Sequence, residues 1–150
     1  MFIQTQFSIF MVNKPGVLAK MLSEMARAKV NIIAMTMMDS VENGVLRMVA
    51  ANYAKAKEVL EAVNMAFNES EVLCVNLPNE PGAFAEVVEK LARNHINISY
   101  AYVTAGARGG RTTGVLKVAD VKKAIKTLQG NTAEHDRPAV KKRARNSQRR

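Results

Sequence analysis

Two turns of the same composition, Asn13-Lys14-Pro15-Gly16 and Asn79-Glu80-Pro81-Gly82, carry the residue types best suited to chemistry. A proline in the first turn of a helix loses no needed N–H and presets φ. The glycine lets the backbone approach a ligand without a Cβ in the way. Behind such a turn, the first backbone N–H groups of the helix sit unpaired at the positive end of its dipole, a place suited to a carboxylate. An asparagine side chain both donates and accepts, so Asn13 and Asn79 either bind an α-ammonium through the carbonyl or cap the helix. Capping is the commoner role of asparagine there, and one isolated copy reads as an ordinary helix start. Two copies at the same structural place argue for more.

Other reactive groups are sparse. Cys74 is the single cysteine, which excludes a disulfide framework or a cysteine zinc site within one chain. It is expected as a small buried hydrophobe. His95 and His135 leave little for a metal cluster, and His95, at a helix end, reads as structural. No Ser/His/Asp or Cys/His arrangement, supported carboxylate pair or cofactor fingerprint is present, so the expectation is a non-catalytic protein without cofactor or metal. The loop Ala105 to Gly114 lacks the Gly-Lys-Ser/Thr ending of a phosphate-binding loop and reads as a hairpin connection. Tyr100 and Tyr102, at i and i+2, share one strand face and either line a ligand seam or fill the sheet–helix interface. Met21, Met25, Met35, Met37, Met38, Met48 and Met65 are expected as core filler.

The elements that position the turns form an internal repeat. At an offset of 66, Val17, Leu18, Met21, Leu22, Met25 and Ala26 match Ala83, Phe84, Val87, Val88, Leu91 and Ala92, and Asn31-Ile32 recurs as Asn97-Ile98. The apolar spacing i, i+1, i+4, i+5 predicts an amphipathic helix in each copy. Apolar, β-prone segments precede it at Phe7–Val12 and Val72–Leu77 and follow it at 31–38 and 97–103. A hairpin turn is predicted at Asp39 to Gly44, where Asn43-Gly44 suits positive φ. The return strands Val45–Val49 and Val115–Val118 align at an offset of 70, which predicts four added residues in the second hairpin. A second helix, with Ala56, Val59, Leu60 and Val63 matching Val121, Ala124, Ile125 and Leu128, aligns at 65 and predicts strand-to-helix connections of unequal length.

Each copy therefore reads strand, helix, strand, strand, helix, with room for a final strand. The fold class is α+β: two tandem ferredoxin-like (βαββαβ) domains, with antiparallel sheets and helices on one face. The domains are expected at residues 1–69 and 70–136. The first copy's last strand is placed near Ala66 to Glu71, running directly into Val72. The second copy's last strand has almost nothing apolar to bury in 130–136, so that edge stays open, is shortened, or is completed by another segment.

With 150 residues and 48% apolar content, the chain can bury a core and is not disordered throughout. The net charge is +9, but seven positive charges lie in residues 137–150, which contain no acid, leaving +2 for residues 1–136. Residues 137–150 are expected to be a solvated, disordered tail. Without aromatic residues, the tail offers nucleic acid only weak, salt-dependent attraction. No apolar run reaches the roughly 18 residues of a membrane span, and the first residues are not expected to act as a signal peptide. A cytoplasmic protein without membrane association is the expectation.

These residues resemble the ACT domain, a small amino-acid-binding regulatory module. The resemblance is carried by 12–19 (Val-Asn-Lys-Pro-Gly-Val-Leu-Ala), 78–85 (Pro-Asn-Glu-Pro-Gly-Ala-Phe-Ala), Val30-Asn31-Ile32 and Ile96-Asn97-Ile98. It covers roughly residues 5–63 and 70–129, and the whole chain resembles stand-alone proteins made of two tandem ACT domains. The resemblance implies modules that pair side by side and hold an amino acid at their seam, between the turn of one module and the second strand of its neighbour. Carried onto this chain, the ligand-binding positions are Asn13, Gly16, Val17 and Leu18, then Asn79, Gly82, Ala83 and Phe84, with Asn31, Ile32, Asn97 and Ile98 as the second wall. Many members have Asp where Asn13 and Asn79 stand, and Phe84 replaces the usual Leu. The implied protein is a regulator or sensor for a small amino acid, a homodimer or higher homo-oligomer, able to act on an enzyme in trans. A ligand-free pairing module and a nucleic-acid-associated protein are the alternatives.

Overall fold

A computed structural model describes residues 1–38, 43–104, 106 and 109–130. The tail at 137–150, the doubtful strand at 131–136 and the tip of the first hairpin at 39–42 lie outside the described residues. So do Ala105, Ala107 and Arg108 of the second hairpin loop. The chain runs β1 (Phe2–Val12), α1 (Val17–Arg27), β2 (Ile32–Met38), β3 (Asn43–Ala50), α2 (Tyr53–Ala62), β4 (Ala66–Pro78), α3 (Ala83–Arg93), β5 (Ile98–Val103), β6 (Arg111–Val118) and α4 (Val121–Gln129). The fold is a pair of ferredoxin-like modules. Their strands join in one six-stranded antiparallel sheet, ordered β2-β3-β1-β4-β6-β5.

The two central strands each serve both modules. β4 is the last strand of the first module through Glu71 and the first strand of the second from Val72, so the expected boundary at 69/70 falls inside it. β1 does the reverse. Its Phe7–Val12 part leads the first module, and Phe2 to Thr5 occupy the last-strand place of the second, beside Cys74 to Glu71. The edge left doubtful by the sequence is thus completed by the chain's own N-terminal segment. The register shows the symmetry directly. Thr5 faces Glu71, and 71 is 5 plus the repeat offset of 66, so a pseudo-twofold axis passes through that pair.

The pairing also corrects the later offsets. Phe7 faces Met48 and its counterpart Leu73 faces Leu116, so β3 and β6 correspond at 68, not 70. The caps Asn52 and Asp120 and the buried Ala56 and Ala124 correspond at 68 as well. The second hairpin therefore gains two residues, and the strand-to-helix connections are equal. Repeated valines and leucines had allowed a slip of two residues, which preserves strand alternation. Asn43 and Gly44 are not turn residues: they pair with Val12 and Met11 at the start of β3. Thr112, Thr113 and Gly114 likewise belong to β6.

Alternation decides what each face does. Phe7, Ile9 and Met11 pack with Met21 and Met25 of α1 and Ala56 and Leu60 of α2. Leu73, Val75 and Leu77 pack with Leu91 of α3 and Val121 and Ala124 of α4. Ile3 faces Leu73 and Phe7 faces Glu69, so both helix pairs cover the same side of the sheet. The opposite side is sealed by curling. Phe2, Ala34, Val49, Val72, Cys74, Val115 and Tyr102, drawn from all six strands, form one cluster there. Met21, Met25 and Met48 are core residues as expected and Met65 is half-buried, but Met35, Met37 and Met38 are exposed, because β2 is an edge strand.

Candidate functional site

Both Asn-x-Pro-Gly turns lead from a first strand into a first helix. Gly16 and Gly82 occupy the N-cap positions with φ of 87° and 90° and no side-chain cap. This left-handed conformation suits glycine, and a Cβ at either position would meet open space. Asn13 and Asn79 therefore do not cap these helices. The trailing helices differ: Lys55 N–H donates to Asn52 Oδ1 at 3.1 Å, and Lys123 N–H donates to Asp120 Oδ1 at 2.9 Å. Only the leading helices begin without a side-chain acceptor.

The turns are not equivalent. Asn79 donates its backbone N–H to Gly110 O at 2.8 Å and its Nδ2 to Gly106 O at 2.9 Å, tying the second turn to the β5–β6 connection. That connection is further fixed by Thr113 Oγ1 donating to Asn76 Oδ1 at 3.1 Å and Arg111 donating to Asn76 O at 3.3 Å. Asn13 is exposed. Val17 and Leu18 pack against the first core and Ala83 and Phe84 against the second. The ring of Phe84 lies over Gly114, where a Cβ would come within 3.1 Å of it.

The second-wall residues lie elsewhere. Ile32 begins β2 opposite Ala50, and Ile98 begins β5 opposite Val118; both are half-buried, with Asn31 and Asn97 exposed beside them. Within a module, an 11-residue leading helix separates the turn from the Asn-Ile step, a rise of about 16 Å. Because β1 and β4 are antiparallel, the two turns leave opposite ends of the sheet. The sheet's edges, β2 and β5, approach across an apolar recess of about 420 Å³ between Ile32–Met35 and Val103–Thr104, with Leu22 of α1 as a further wall. Ile32 is the expected site residue that lines it. Leu22, Met35, Val103 and Thr104 escaped the sequence reading, because nothing local announces that the two edges curl together.

Tyr100 and Tyr102 do not fill the sheet–helix interface. They face the curled side, where Gln6 Nε2 donates to Tyr100 Oη at 2.6 Å and Tyr102 Oη donates to Gln6 Oε1 at 2.9 Å. Gln6 is fully buried, and Arg47 lies 3.6 Å from the Tyr100 ring centroid. This clasp joins module one (Gln6, Arg47) to module two across the intervening strands β4 and β6. Burial raises the Tyr102 hydroxyl above its ordinary range and pushes the Cys74 thiol up to about 11, so Cys74 is neutral and inert. On the helix side, Glu69 accepts from Tyr53 Oη at 2.8 Å and pairs with Lys57 at 3.1 Å, and these two bonds hold its carboxyl below the usual range. No helix among the described residues is long and apolar enough to cross a membrane.

Residues 1–132 match the family model described as "ACT domain pair". Among solved structures, a Bacteroides thetaiotaomicron protein is 28% identical, with a TM-score of 0.78, over 85% of this chain and 88% of that one. The ligand-free regulatory subunit of aspartate kinase from Thermus thermophilus is 13% identical, with a TM-score of 0.63, over 85% of this chain and 91% of that one. The corresponding Thermus flavus subunit is 15% identical, with a TM-score of 0.56 and the same coverage. No curated protein matches the chain in sequence.

Proposed function

The chain belongs to the ACT domain family as an ACT domain pair, and on that premise we propose that it is a non-catalytic regulator that binds a small amino acid at a seam between modules. The observation that carries this reading is the difference between its helices: trailing helices closed by Asn52 and Asp120, leading helices begun on left-handed glycines without a side-chain acceptor. A carboxylate beside Gly16–Leu18 or Gly82–Phe84 would meet amide donors and the helix dipole. The second wall comes from a neighbouring copy, because each turn lies about a helix length from its own Asn-Ile step. Asn31-Ile32 and Asn97-Ile98 on the edge strands are the residues such a copy would present.

The same edges support a homodimer or larger homo-oligomer. β2 and β5 end the sheet, and Met35, Met37, Met38 and Val103 are 45–46% exposed along them. An open edge bearing apolar side chains is a template for pairing with another sheet. The family's regulatory character supports action on an enzyme in trans, and the cytoplasm is its proposed place. One observation favours a ligand-free pairing role for the second site: the Asn79 amide is engaged by Gly106.

A melting screen against the proteinogenic amino acids tests the reading. A ligand at about 100 times its Kd adds roughly 2.7 kcal/mol, a rise of several degrees for a chain this size. The bound form should also sediment as a dimer or larger species. If no amino acid moves the transition, the sensor reading falls and a pairing module remains.

A further inference from the structure

The second module carries a cleft that the first module fills. About 170 Å³ lies between β4, α3 and α4, walled by Val75, Leu77, Val87 and Leu128, with Ala83 and Met1 at its ends. At the repeat offset of 66, the first module places Ile9, Met11, Met21, Val17 and Phe67 where the second has Val75, Leu77, Val87, Ala83 and Met1. Ile9 and Met21 are fully buried and Met11 nearly so, so the equivalent space is occupied by side chains. The second module's residues are mostly shorter, and Phe84, its one enlarged neighbour, is spent over Gly114. A cavity of about 150 Å³ lined by apolar side chains stays dry and takes up benzene, so this cleft has room for an aliphatic side chain.

Its rim is charged with both signs. Glu86 and Lys90 line the cleft one helical turn apart on α3. That order and spacing favours a Glu–Lys pair, and the neighbouring Glu89–Arg93 pair of the same spacing closes at 3.4 Å. Glu86 and Lys90 form no ion pair with each other or with another described residue. An apolar hole beneath one open carboxylate and one open ammonium matches a small zwitterion with an aliphatic tail. We propose that the α3–α4 cleft binds a free α-amino acid with an aliphatic side chain, its ammonium at Glu86, its carboxylate at Lys90 and its side chain in the cleft. This site lies within one module and does not depend on the seam between modules.

Calorimetric titration of the full chain with L-leucine tests this, alongside isopentylamine and 4-methylpentanoate, which each drop one charge. Leucine should bind, and both analogues should bind more weakly. Val87→Met, which restores the first module's residue, should weaken leucine binding about tenfold or more, the scale of a methylene mismatch in an apolar pocket, without lowering the melting temperature. Glu86→Gln should weaken leucine and isopentylamine but not 4-methylpentanoate; Lys90→Gln should weaken leucine and 4-methylpentanoate but not isopentylamine. Val75→Ile, which restores the first module's Ile9, supplies a second filling variant outside the seam if Val87→Met does not fold. Leucine binding untouched by both filling variants would place the ligand elsewhere and overturn this proposal while leaving the seam reading standing. Absence of leucine binding to the unaltered chain would also overturn it. Binding lost on filling the cleft but unaffected by disrupting the dimer would separate this site from the seam.

Discussion

The two modules solve the same packing problem with different pairs of residues. In module one, Leu18 of α1 packs on the core that contains Leu46 of β3. The equivalent positions in module two, at offsets of 66 and 68, hold Phe84 and Gly114, and the phenyl ring occupies the space a larger β6 side chain would need. Beneath the trailing helices the contrast is sharper. Tyr53, Lys57 and Glu69 form a polar triad in module one, where module two has Val121, Ile125 and Ile3. Backbone pairing keeps the modules alike, while their side-chain interiors have diverged in compensating pairs. A ligand site in one module therefore need not be duplicated in the other.

The Leu18/Leu46 and Phe84/Gly114 exchange should give the largest effect. Gly114→Leu forces a Cβ to within 3.1 Å of Phe84 and 3.4 Å of Leu77, an overpacking expected to cost about 3 kcal/mol. Phe84→Leu should cost about 1–2 kcal/mol through the void left over Gly114. The double variant copies module one, and urea denaturation should find it more stable than Gly114→Leu alone, with a coupling of about 1–3 kcal/mol. Additive losses would mean that the two positions are not a matched pair.

The clasp between the modules comes next. Gln6→Ala removes a fully buried amide and leaves the Tyr100 and Tyr102 hydroxyls without their partner. The expected loss is about 2 kcal/mol. Tyr100→Phe and Tyr102→Phe should each cost less. All three should still unfold in one transition, since β1 and β4 are shared between the modules. Two separated calorimetric transitions in Gln6→Ala would show that the clasp, not the shared strands, makes the modules one cooperative unit.

The helix starts give a smaller and more selective pair of effects. Asn52→Ala and Asp120→Ala remove side-chain caps and should each cost about 1 kcal/mol. Asn13→Ala removes no cap and should stay within about 0.5 kcal/mol. If Asn13→Ala costs as much as Asn52→Ala, the leading and trailing helices do not differ in the way the ligand-site reading requires.

Much of this architecture is visible in local sequence. The repeated Asn-x-Pro-Gly and Asn-Ile steps mark both ends of each leading helix, and the strand alternation that buries Phe7, Ile9 and Met11 predicts the ferredoxin-like order. What local pattern does not carry is long-range. Nothing in Phe2 to Thr5 signals that they complete the other module's sheet, and nothing in Gln6 signals tyrosine partners 94 and 96 residues away. Met35, Met37 and Met38 are as apolar as Met21, and only the place of β2 at the sheet's edge exposes them. At the turns, the motif names the residues but not their roles: glycine, not asparagine, occupies the N-cap. The proposed second wall would depend on a neighbouring surface that no local pattern specifies.

The weakest expected effect distinguishes the modules by pH. Glu69 is held below the usual carboxylate range chiefly by the Tyr53 hydroxyl, then by Lys57. A carboxylate with a depressed folded-state pKa contributes stability that is present above its unfolded value and is lost as pH falls through the folded one. Acidification should therefore loosen the attachment of α2 to β4, whereas the equivalent positions of module two hold Val121, Ile125 and Ile3, which do not titrate. Hydrogen exchange measured from neutral pH downward, corrected for the intrinsic rate at each pH, should show amides of residues 53–62 losing protection relative to 121–129. The effect should be smaller than the loss of a helix cap, because the triad is solvent-exposed and such pairs are screened. Glu69→Gln should erase the pH dependence and leave the two helices in step. If α2 and α4 already lose protection together in the unaltered chain, the triad does not contribute to holding α2, and the polar-for-apolar exchange between the modules is neutral.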